Sequence, residues 1–147
     1  MIGLDTDVLV RALTGDDPEQ SATARAFMRS LASDGPGFVS LVALMETWWV
    51  LRRGEHYRYS REQALAVVRA LLGSAGLVVE NGDLVREAVS IAMRTGRDLP
   101  DVMIATVGRD AGCDRTVTFD RRAITIPGMV LLAPPVDRVG TANAGNH

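Results

Sequence analysis

"MIGLDTDVLVRALTG", Met1 to Gly15, decides the fold. Ile2 to Leu4 is a short apolar run that ends on a carboxylate, Asp5, and suits a buried strand. The chain passes directly into "DVLVRAL", a short helix stopped at Gly15. The same alternation continues downstream. Asp17 with Pro18 and Gln20 marks a helix start, and Ala24, Phe27, Met28 and Leu31 follow at helical spacing up to Gly35. "GFVS" reads as a second strand, with Ser40 capping a helix that stops at Gly54. Ser60 and Gln63 form a capping box before a helix ending at Gly73, and "LVVE" reads as a third strand. An amphipathic helix through Leu84, Val85, Ala88, Ile91 and Ala92 follows, then one opening near Pro100 with Asp98 as its cap. "TVTF" and "MVLL" supply a fourth and fifth strand. Helices alternating with short apolar strands imply an α/β fold, three layers with a short, mostly parallel central sheet.

With 147 residues and 47% hydrophobic content, the chain makes one domain with a real core. The domain spans 1–132, and 133–147, turn-prone with little to bury, is expected to be a loose tail. A net charge of −2 gives no basic field to draw in nucleic acid from a distance. All 16 basic residues are arginines, so mechanisms needing an ammonium are excluded. The single Cys113 rules out an internal disulfide and Cys-rich zinc sites, and is read as a packing or edge residue. Asp5, Asp7, Asp16 and Asp17 stand where a signal peptide needs an apolar core, and no apolar run is long enough to span a bilayer. A cytoplasmic setting is expected.

In an open parallel sheet the working crevice lies at the carboxyl ends of the strands. Asp5 closes the first strand and Asp7 follows it; Asp120 comes just after "TVTF". Asp101 stands in a first helical turn, and Glu46 lies two turns into the most apolar helix of the chain, "SLVALMETWWVL". Singly, Asp101 and Asp120 are explained as helix caps or dipole partners. Glu46 is not, because a buried unpaired carboxylate costs several kcal/mol. Gathered at one sheet edge, these acids would repel unless a cation neutralised them. Hard oxygen donors favour Mg²⁺ or Mn²⁺, which suit phosphodiester hydrolysis.

The successive motifs "MIGLDTDVLVRAL", "VSLVALMETWWVLRR", "DLPDVMIATVGRDAGC" and "TVTFD" resemble those of the PIN-domain ribonucleases, especially the VapC-type toxins of type II toxin–antitoxin systems. The likeness runs from Met1 to about Leu132. It implies a metal-dependent endoribonuclease that cuts RNA, commonly tRNA or rRNA, with Asp5, Glu46, Asp101 and Asp120 as the catalytic and metal-binding acids. It further implies Mg²⁺ or Mn²⁺, a homodimer, and a VapB-type antitoxin whose arginine plugs the carboxylates. Asp7 stands where the family usually has Asn. Asp7, Thr6 and Thr118 are expected to support the metal site without ligating it. Arg11, one turn after Asp7, is the foremost candidate among the arginines for contacting RNA. At most one of Trp48 and Trp49 would stack on a base, and core or dimer packing is the expected role.

"IGLDTDVLV" also fits the Asp-x-Asp opening of haloacid-dehalogenase-like phosphatases, in which the first Asp is a nucleophile. That chemistry needs a lysine, and so does a receiver domain; the chain has none. His56 in a polar turn and His147 at the terminus leave Ser-His-Asp catalysis little to work with. A non-catalytic RNA- or protein-binding module on the same scaffold is the remaining alternative.

Overall fold

The structure is a computed structural model and describes residues 1–135. The expected loose tail lies outside the described residues from 136 onward. Five strands, β1 (Ile2–Gly3), β2 (Gly37–Val39), β3 (Leu77–Val79), β4 (Thr116–Thr118) and β5 (Met129–Leu131), are interleaved with six helices. The helices are α1 (Thr6–Leu13), α2 (Pro18–Asp34), α3 (Leu41–Arg53), α4 (Arg61–Leu72), α5 (Gly82–Thr95) and α6 (Leu99–Asp110). A 3₁₀ turn spans Arg121–Thr125. Every strand pairing is parallel, as the alternation predicts.

The sheet comes in two pieces, β1-β2-β3 and β4-β5. Strands of two or three residues carry only a few ladder hydrogen bonds each, so pairing does not run on across the whole set. β2 holds the centre of the first piece, with Val39 wholly buried. β1 is an edge of that piece, and Ile2 is 48% exposed, so the expected buried first strand is corrected. It is also shorter than expected. Leu4 still donates its N–H to Phe38 O at 2.9 Å, but Asp5 has turned to cap α1 by accepting the Thr6 N–H.

The helix signals work locally as read. Asp17 accepts from Gln20 N, Ser40 from Ala43 N, and Ser60 and Gln63 complete a reciprocal capping box. The core gathers Leu9, Leu44, Trp48, Val85, Leu99 and Val102 among others, drawn from α1, α3, α5 and α6. Within it β2 passes close under α2. A Cβ added at Gly37 would stand 2.8 Å from both Leu31 Cδ1 and Leu4 Cδ1 and 3.1 Å from Leu77 Cδ2. Gly37→Ala is therefore expected to cost about 1–3 kcal/mol by overpacking, read as a lower urea midpoint with an unchanged m-value. A neutral result would show that the leucine side-chain ends give way at no cost.

Candidate active site

Two groups of acids flank α3, which packs against both α1 and α6. In the first, Thr6 joins two carboxylates from distant parts of the chain. Its N–H donates to Asp5 Oδ1 at 2.8 Å, and its hydroxyl donates to Glu46 Oε2 at 2.7 Å. Thr6 itself is buried, so the bridge is shielded from competing water on that side. Asp7 lies exposed in the first turn of α1, where its charge complements the helix dipole.

Glu46 is exposed, not enclosed by its apolar neighbours. Ala43, Leu44, Thr47, Trp48 and Leu51 take the inward face of α3, and Glu46 falls on the opposite stripe. The sequence mixes the two faces because so few polar residues mark the outer one. The carboxylate thus avoids a burial cost and is aimed by one hydrogen bond from Thr6.

In the second group Asp101 sits in the first turn of α6, half-buried. Burial pushes its pKa above the usual carboxylate range, and the negative charges of Asp98 and Asp120 push it further. Arg53 and Arg122 oppose the rise but do not cancel it. Asp120 behaves in the opposite way. The backbone N–H of Arg122 donates to its Oδ1 at 2.9 Å and holds its pKa low, aided by the charges of Arg122 and Arg97. Thr118 stands between them in role: its hydroxyl accepts the Asp120 N–H at 3.0 Å, anchoring the loop that follows β4.

Asp98 departs from its expected role. It occupies the N-cap position of α6, yet its side chain makes no capping hydrogen bond. It pairs with Arg52 of α3 at 3.1 Å, joining that helix to the start of α6, and adds its charge to the field around Asp101. No local pattern marks that pairing, since the partners are 46 residues apart. A second acid that no sequence pattern marks is Glu80, which accepts the Leu41 N–H at 2.7 Å and so holds the start of the helix that carries Glu46. Cys113 is exposed, in the turn before β4, rather than packed.

Arg11 is occupied. Its guanidinium meets both Asp16 oxygens at 3.0 Å and Gln20 Oε1 at 2.8 Å, tying α1 to the start of α2. The cations whose charge reaches the acids are Arg53, Arg97 and Arg122. Asp16 is held at a pKa of about 2, by the Tyr57 hydroxyl first, then by Thr14 and Arg11. Its folded pKa is depressed, so its contribution to stability is present above the ordinary value of 3.8 and is lost as pH falls through about 2. Asp16→Asn should flatten the dependence of unfolding free energy on pH between about 4 and 2, leaving the neutral-pH fold in place. An unchanged acid limb would show that the cluster does not act through Asp16.

Among the described residues no three carboxylates stand close enough to form a ready-made cation cage. The donor chemistry nonetheless fits a hard divalent ion, because all the candidate ligands are carboxylate oxygens. The negative charges of Asp98 and Asp120 acting on Asp101 are the kind of imbalance that such an ion relieves. No helix among the described residues is long and apolar enough to cross a membrane.

The chain is 28% identical over 120 residues to a VapC ribonuclease of Aquifex aeolicus (strain VF5), covering 81% of this chain and 87% of that protein. The PIN domain family model matches residues 2–128, from the edge strand that delivers Asp5 to the turn before β5. With nearly all its described length matched and its acids placed after β1, on α3, on α6 and after β4, the chain belongs to the PIN domain family.

Proposed function

We propose that the protein is a Mg²⁺- or Mn²⁺-dependent endoribonuclease, the toxin of a type II toxin–antitoxin pair. The single observation that carries this reading is the Thr6 bridge, which ties Asp5 Oδ1 and Glu46 Oε2, acids from distant parts of the chain, together beside α3. Acids joined from distant motifs, with the pKa of Asp101 raised by burial and by the charges of Asp98 and Asp120, suit cation binding better than folding. Asp5, Glu46, Asp101 and Asp120 would hold the ion, which would supply an activated water and charge stabilisation at the phosphate. Thr6 keeps Glu46 and Asp5 in fixed relation, so that both offer oxygens to the same side of α3. Thr118 and the Arg122 N–H restrain Asp120. Arg53, Arg97 and Arg122, whose charges act on Asp101 and Asp120, would contact the phosphates of RNA.

The likeness to a VapC ribonuclease supports RNA as the substrate, tRNA or rRNA being the expected targets, and a VapB-type antitoxin as the partner. An antitoxin arginine would suit the acid set as a bidentate plug. A homodimer belongs to the same proposal. The test is cleavage of total RNA by purified protein with Mn²⁺, with and without chelator, comparing wild type with Asp5→Asn and Glu46→Gln. Chelation and either substitution should each reduce cleavage at least about a hundredfold, with circular dichroism unchanged. Cleavage that survives chelation and both substitutions sinks the metal mechanism. Protein that cuts no RNA but still binds it is a binding module on the same scaffold.

A further inference from the structure

α3 carries more than Glu46 on its outer stripe. Val42, Glu46, Trp49 and Arg53 fall at intervals of four, three and four residues, one face of a helix. Val42 is 69% exposed and Trp49 36%, whereas Trp48, one position earlier, is 1% exposed. The structure therefore separates two adjacent tryptophans into a core residue and a surface one. The Arg53 guanidinium carbon lies 4.3 Å from the centre of the Trp49 ring. Among the described residues Arg53 makes no salt bridge, and its charge acts on Asp101. A carboxylate of the site, an aromatic ring and a cation thus follow one another along a single stripe.

We propose that Trp49 and Arg53 form a nucleotide subsite, in which the indole stacks on a base of single-stranded RNA next to the bond that is cut and Arg53 pairs with the neighbouring phosphate. The inference rests on the nuclease reading and names where its substrate lies. Trp49 follows Glu46 by less than one turn, about 5 Å along the axis, so a base on its ring leaves its own phosphate beside the acids. Stacking on aromatic and guanidinium faces is how proteins hold unpaired bases, whatever their sequence. The chain has a net charge of −2 and no broad basic field, so a local cation beside the acids must do that work. A second copy of the chain is a poorer occupant, because Glu46 and Arg53 interrupt the apolar surface that a dry interface needs.

The test uses the full chain carrying Asp5→Asn, so that RNA is bound without being cut, with fluorescein-labelled oligoadenylate as probe. Trp49→Leu should weaken binding at least about fivefold, while Trp49→Phe, which keeps a π-face, should bind within about twofold of the parent. Oligoadenylate should quench tryptophan fluorescence in the parent and not in Trp49→Phe, where the buried Trp48 alone remains. Arg53→Gln should lower the slope of log affinity against log salt by about 0.7, the loss of one phosphate contact on a single strand. Equal binding by the Leu and Phe variants overturns the proposal. So does a Trp49→Leu protein that sediments as a smaller species with unchanged affinity per protomer. The two readings fail separately. Wild type that cuts nothing while these binding effects appear removes the nuclease and keeps the subsite. Wild-type-like KM in Trp49→Leu on the cleavable background removes the subsite and keeps the nuclease.

Discussion

Asp101→Asn is expected to reduce RNA cleavage at least about a hundredfold and, in the absence of divalent ions, to raise the melting temperature. The first effect follows from losing a proposed metal ligand, the second from removing a charge that opposes folding. Burial, Asp98 and Asp120 raise the folded-state pKa of Asp101 above its ordinary value. Between those two values the folded protein holds the proton more tightly than the unfolded chain does, so stability falls as pH rises through that window. At neutral pH the ionised carboxylate therefore opposes folding, and a neutral amide of the same shape removes the opposition. Wild type should recover the loss on adding Mn²⁺, gaining about 2.7 kcal/mol at a concentration a hundred times its dissociation constant. Asp101→Asn should gain much less. Differential scanning fluorimetry with and without Mn²⁺ measures both arms. A variant that melts lower than wild type without metal would mean that Asp101 is a structural acid.

Trp48→Ala is expected to cost about 3–5 kcal/mol, measured by urea denaturation. Trp48 is the largest side chain in the fully buried set, on the inward face of α3. That cost is a large fraction of the stability of an ordinary domain. Trp48→Phe should cost much less than its lost volume suggests. The Trp48 Nε1 is buried with no hydrogen-bond partner among the described residues, and phenylalanine removes that unmet donor. Trp49→Leu, on the exposed side, should stay within about 1 kcal/mol of wild type. If Trp49→Leu proved the costlier change, the inward and outward faces of α3 would be reversed.

The pair Trp48–Trp49 illustrates how far the sequence reaches. Adjacent residues on a helix point about 100° apart, so one must be more buried than the other. Which one depends on the heptad phase of the whole helix. In α3 the outer face is marked by Glu46 and the two terminal arginines alone, so composition leaves that phase ambiguous. The same shortage made Glu46 look buried. Asp98 departs from its sequence pattern for a related reason: an Asp before a Leu-Pro helix start has the form of a cap, but Arg52 reaches it from another helix.

Local physics decided the element order and the caps. An apolar run, a capping side chain and a stop glycine act within a few residues of one another, and those are legible in the chain as written. The positions of the acids along the elements are legible in the same way, at the end of a strand or in the first turns of a helix. Tertiary structure decided what those acids face. Thr6 linking Asp5 to Glu46, the charges of Asp98 and Asp120 acting on Asp101, and Asp16 claiming Arg11 are all set by packing. Electrostatic energies depend on distances of a few Å and on desolvation, and both are fixed only when α1, α3 and α6 close on one another.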